Sequence, residues 1–201
     1  SIFNEKIIRN KFKINNYKDP CYYFKSIKNS FEINNMIKSH IIDGVALTKF
    51  IYWIKKNNKN NLTEILAQKK LEKFRKINKK YLFPSFNTIA GTGSNGAIVH
   101  YRATKYSNKK INKKDIFLCD SGGQYKYGTT DVTRTICFKK QTSEIKNNFT
   151  RVLKGHIAVA TSNLSKSSTG KIIDKKARIF LNKAGLDYAH GTGHGVGFFL
   201  N

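Results

Sequence analysis

DSGGQYKYGTTDVTRT, residues 120–135, sets two carboxylates on either side of a glycine-containing turn: Asp120 ends the apolar run IFLCD (116–120) and Asp131 opens VTRTICF (132–138). Antiparallel strands joined in this way can bring two such side chains face to face. That arrangement cradles one or two hard or borderline divalent cations. Each Asp could equally cap a turn, and the spacing alone does not choose. Working outward, SFNTIA (85–90) and AIVHY (97–101) also carry strand composition, with glycine-rich turns between the runs. The block from 85 to 138 therefore predicts a largely antiparallel sheet.

Helical spacing lies on both sides of it. From Phe31 to about Lys56, Ile33, Ile37, Ile41, Val45 and Ile51 recur at helical intervals, widened by Met36, Leu47, Phe50 and Ile54. After the Asn-rich run KKNNKNN (55–61), Thr63 can cap a second helix with Glu64 in its first turn and Ala67, Leu71 and Phe74 on its buried stripe, fading near Asn78. Beyond the sheet, Ser143 starts a helix with Ile145, Phe149, Val152, His156 and Val159 on one face. A shorter helix carries Ile173, Ala177, Phe180 and Leu181 before Gly185, and strand-like VGFFL follows at 196–200. The order helix, helix, strands occurs twice. It predicts an α+β domain with a duplicated plan around one shared sheet, incomplete at the C-terminus. Residues 1–28 show no helical period and read as the tail of a preceding domain with a linker, leaving 29–201 as one domain.

Composition narrows the class. The 201 residues are 39% hydrophobic with ten Tyr and fourteen Phe, enough to bury the core of one ordinary domain. No window approaches the run of about 18 apolar residues that a membrane span needs, and the basic, polar start does not read as a signal peptide. Cys21, Cys119 and Cys137 are odd in number, widely spaced and without a CxxC pair, which fits reduced thiols. A soluble, cytoplasmic protein is expected. The 38 Lys and Arg against 12 Asp and Glu give a formal charge of +26, which by itself suggests nucleic acid or an anionic surface. The excess is mostly Lys, spread along the chain among Asn and Ile. It reads as solvated faces shaped by AT-rich coding, so nucleic acid is not the expected partner.

HGTGHGVG (190–197) sets His190 and His194 four apart, but its glycines make a helix costly and place both imidazoles in a tight loop. GTGSNG (91–96) matches a dinucleotide pattern, yet a strand-like run follows it where the pattern needs a helix, so it reads as a glycine turn. His100, beyond that turn, can point into a cleft or sit hydrogen-bonded in the core. His40 and His156 lie on apolar helix faces and are expected to pack.

DSGGQYKYGTTDVTRT, NGAIVHY, HGTGHGVGFFLN, VLKGHIAV (152–159) and GLDYAHGTGHG (185–195) together resemble the Xaa-Pro aminopeptidase (aminopeptidase P) family of pita-bread metallopeptidases, from about Ile27 to Asn201. The resemblance implies hydrolysis of the N-terminal residue from peptides with proline second. It also implies two divalent cations, most often manganese, with zinc or cobalt as alternatives. It puts the metal-binding Asp positions on Asp120 and Asp131, the latter bridging, and the His position on His194. His100 and His190 fall where the family has substrate-contacting histidines. The family's two Glu ligands follow a His-Glu-Gly-Pro segment beyond FFLN. Glu5, Glu32, Glu64 and Glu144 lie in no matching context, so three of five ligands are expected in this chain and its own activity is open. The partners implied are a peptide with penultimate proline and either a second copy or a complementing C-terminal segment. The alternative from another class is a non-catalytic pita-bread module that binds nucleic acid or protein.

Overall fold

Several helices begin with the same chemistry, a side-chain oxygen accepting an otherwise orphaned N–H of the first turn. In the computed structural model, which describes residues 2–9, 11–13, 17–57, 61–164 and 169–200, Asp19 accepts from Cys21 N at 2.8 Å, with Pro20 opening the helix. Thr63 accepts from Leu66 N and Thr142 from Ile145 N. The element order is α1 (Ile2–Arg9), α2 (Pro20–Ser26), α3 (Ser30–Asn57), α4 (Glu64–Lys76), β1 (Tyr81–Pro84), β2 (Ile89–Thr92), a 3-10 turn (Gly93–Ala97), β3 (Ile116–Ser121), β4 (Gly123–Tyr125), β5 (Gly128–Thr129), β6 (Val132–Cys137), α5 (Ser143–Ala160) and α6 (Gly170–Asn182). Part of the predicted Asn-rich loop, 58–60, lies outside the described residues.

The α+β, antiparallel expectation holds, but the strands form two small sheets, ordered β1-β4-β5 and β2-β3-β6, in place of one. Gly122 marks the change of sheet: a Cβ there would overlap the Thr130 carbonyl and Ser85 Oγ, so only glycine permits this approach. The core is the layer between α3, α4 and the second sheet: Leu47, Phe50, Ile54, Leu62, Ala67, Leu71, Ala90, Ile111, Phe117, Cys119 and Ile136. Each large apolar side chain fully buried there contributes about 1.5–3 kcal/mol.

Several expectations need correction. Residues 1–28, taken as lacking a helical period, contain α1 and α2. On α3 the expected apolar stripe holds in the C-terminal half, where Leu47, Phe50 and Ile54 are buried, and fails in the N-terminal half: Ile33, Ile37, Ile41 and Val45 are exposed, and Asn35, Ser39, Asp43 and Ala46 are buried instead. In the N-terminal half of α3, Asp43 can be buried because its charge has partners. The Asp43 carboxylate accepts from Arg75 Nε (2.6 Å) and Nη2 (3.0 Å) of α4 and from Tyr125 Oη (2.7 Å) of β4, and Arg75 Nη2 also donates to Ser121 Oγ (3.0 Å) of β3. AIVHY is not a strand: the 3-10 turn runs into it and His100 takes φ +54°. SFNTIA forms a strand only from Ile89. VGFFL is not a strand but an isolated bridge between Gly197 and Phe199, with Phe199 at φ +62°. The α5 stripe is half-buried at best, and α5 and α6 instead pack on each other at Gly155, where a Cβ would run into the Ala177 carbonyl. His156 is exposed and is not a core residue. The three cysteines are free thiols. Among the described residues no helix is long and apolar enough to cross a membrane.

Candidate metal centre

Side chains alternate along β3, and this alternation aims Asp120. Phe117, Cys119 and Ser121 are buried toward the helices, whereas Leu118 and Asp120 turn to the opposite face and line a cleft of ≈ 420 Å³. Asp120 pairs in register with Thr133 of β6, two residues beyond Asp131. The two carboxyl groups come within hydrogen-bonding reach. Burial pushes the Asp131 carboxyl above its ordinary range, and the nearby Asp120 charge pushes it further; His194, and more weakly His40, pull it back. His194 Nε2 stands 3.2 Å from Asp131 Oδ2. Asp120 Oδ1 is buried without a hydrogen-bond partner, an acceptor that a cation or a proton would satisfy.

Two carboxylates and an imidazole fit a borderline divalent cation. They are strung as a chain with Asp131 in the middle, however. Among the described residues no group of three or more His, Cys, Asp or Glu has the spacing to hold a metal ion. Glu72, the chain's remaining glutamate, is taken by the Tyr81 hydroxyl at 2.6 Å.

His100, His190 and His194 line the same cleft as Asp120. His190 stacks on Tyr188 with ring centroids 4.7 Å apart. Its loop is tied to α6 through Arg178, which donates to the carbonyls of Tyr188 (2.7 Å) and His190 (2.8 Å) and pairs with Asp174 and Asp187. A hydrogen bond from Thr192 and the Arg178 guanidinium hold Asp174 below its ordinary carboxylate range. The sequence reading missed Arg178, and it missed His40, half-buried on α3, whose charge is felt at Asp131. The scarcity of acidic residues, with two of them around Arg178, was the available signal. A larger cleft, ≈ 870 Å³ and lined by Ile116, Ile136, Ile145, Phe149 and Val152 among others, holds none of the candidate residues.

The sequence profile described as metallopeptidase family M24 matches residues 34–201. The chain is 47% identical over 195 residues to a probable Xaa-Pro aminopeptidase P of Podospora anserina, covering 96% of this chain and 28% of that protein. It spans about 28–31% of the length of the curated relatives it matches. The structure superposes on an X-prolyl aminopeptidase of Caenorhabditis elegans, described as a cytosolic enzyme with a di-nuclear active site, with TM-score 0.83 and 39% identity over 89% of this chain and 29% of that one. It also superposes on a prolidase of Pyrococcus horikoshii with TM-score 0.78 and 27% identity over 89% of this chain and 49% of that one. The architecture is that of the pita-bread peptidases. With 34–201 matched by the profile, the chain belongs to metallopeptidase family M24.

Proposed function

We propose that this chain forms part of an Xaa-Pro aminopeptidase, a cytoplasmic enzyme that removes the N-terminal residue from peptides with proline in second position, with residues 29–201 supplying most of its catalytic domain. One observation carries the reading: Asp131 lies between Asp120 and His194, in contact with both, beside a buried Asp120 oxygen that lacks a partner. Asp120, Asp131 and His194 are the residues that would hold two divalent cations, manganese first and zinc or cobalt as alternatives. When bound, the cations supply Lewis-acid activation for amide hydrolysis. Asp131, central in the cluster, is the residue that would be shared between them. His100 and His190, on the cleft wall, orient the peptide and donate hydrogen bonds to the scissile carbonyl as charge develops there. Neither family Glu ligand is among these 201 residues, so the base that takes the water's proton is not assigned to this chain.

The test is turnover of an Xaa-Pro peptide with added Mn²⁺, by the chain alone and with the family's C-terminal segment joined covalently or added as a second chain. The expected result is no release by the chain alone, release on complementation, and abolition of that release by Asp131→Asn. Turnover by the chain alone would overturn the assignment of ligands, and complemented turnover that survives Asp131→Asn would overturn the bridging role.

A further inference from the structure

Glu64, the first residue of α4, is fully buried, yet its named partners are all neutral donors. Oε1 accepts from Thr92 N (2.8 Å) and Asn95 Nδ2 (3.0 Å); Oε2 accepts from Tyr101 Oη (2.8 Å), Lys109 N (2.9 Å) and again Asn95 Nδ2 (3.1 Å). These donors come from the end of β2, the 3-10 turn and the loop beyond it. Around them Asn95 and Tyr101 bond each other and the Ser107 carbonyl, Glu64 N donates to Lys109 O, and Ile65 N donates to Asn108 Oδ1. One carboxylate thus gathers both ends of the 92–109 segment. His100 lies inside that segment at φ +54°, a conformation strained for a non-glycine residue that persists only where the surroundings over-determine it. The next residue, Tyr101, is anchored on Glu64.

We infer that Glu64 is the positioning residue for His100: its buried carboxylate closes the 92–109 segment and holds the strained His100 backbone at the wall of the cleft. The inference deepens the proposed function, since it rests on His100 touching the peptide.

The experiment uses the 201-residue chain labelled with ¹³C at its five histidines, His100→Ala assigning the resonance. Two variants are compared. Glu64→Gln turns an amide NH₂ toward groups that are themselves donors, and Tyr101→Phe removes a single hydroxyl should the first variant fail to fold. Hydrogen bonds to a charged group contribute about 1.5–3 kcal/mol each. The expected result is therefore exchange of the Thr92 and Lys109 amides at least about tenfold faster, with the His100 resonance split or broadened and that of His156 on α5 unchanged. A His100 resonance unchanged in a folded variant, or a change of equal size at His156, overturns the inference. His100→Ala in the complemented enzyme judges the functional reading separately. Undiminished turnover there removes His100 from peptide contact, whereas the resonances still decide whether Glu64 positions it.

Discussion

Arg75→Met should cost the fold about 3–5 kcal/mol, the range for leaving one partner of a buried ion pair uncompensated. Arg75 and Asp43 are both fully buried in their side chains, and two of the three donors to Asp43 are guanidinium nitrogens at 2.6 and 3.0 Å. With methionine in place, the carboxylate keeps the Tyr125 hydroxyl, and Ser121 Oγ loses its donor. Burial pulls the Arg75 pKa down, but the Asp43 bond and charge more than restore it, so the ion pair is the form to remove. Against a typical total of about 5–15 kcal/mol the loss is a large fraction. For a chain of this size it lowers the melting temperature by roughly 6–20 °C. Urea unfolding followed by far-UV circular dichroism measures it. The double variant Asp43→Leu/Arg75→Met removes both charges and should recover much of the loss. A single-variant cost below about 1 kcal/mol, or a double variant as unstable as the sum of the singles, refutes the reasoning.

Gly155→Ala should destabilise by about 1–3 kcal/mol, because its methyl meets the Ala177 carbonyl across the α5–α6 contact; an unchanged unfolding midpoint would show that the helices separate at little cost. Burial and Asp120 raise the Asp131 pKa above its ordinary 3.8, so the folded chain binds that proton more tightly than the unfolded chain. The resulting stabilisation is whole below the unfolded value and is lost as pH rises through the folded one. Metal-free Asp131→Asn should therefore melt higher than wild type at pH 7 and lose the advantage toward pH 4, and a lower melting temperature at pH 7 contradicts this. His156→Ala, at an exposed position, should change stability by no more than about 0.5 kcal/mol; a cost of 2 kcal/mol or more, of the order of a cavity, would place the ring in the core after all.

Local signals in the sequence reached the helices from α3 onward, the buried stripe of α4 and the carboxylate pair, but not α1, α2 or the buried face of the first half of α3. Thr63 caps α4 and Ser143 opens α5 as the sequence suggests, and Asp120 and Asp131 meet across antiparallel strands as their runs suggest. The buried face of α3 was hidden because it carries two candidate stripes. An apolar pattern favours Ile33, Ile37, Ile41 and Val45, whereas the structure buries Asn35, Ser39 and Asp43, and for Asp43 the deciding partners lie 32 and 82 residues away. AIVHY fails as a strand for a similar reason: its β-favouring composition is overruled by Glu64, which draws the flanking residues into a closed loop. His40 near Asp131 and Arg178 behind His190 rest on contacts between separate elements, which no local period encodes.

The outward isoleucines of α3 also bear on how the chain behaves at high concentration. They form an apolar ridge on a molecule of formal charge +26, so mutual repulsion opposes the contact that water favours. The repulsion is screened within about 8 Å at 0.15 M salt, while the attraction between apolar surfaces is not weakened. Added salt should therefore drive these molecules together through α3, and Ile37→Lys and Ile41→Lys should keep them apart.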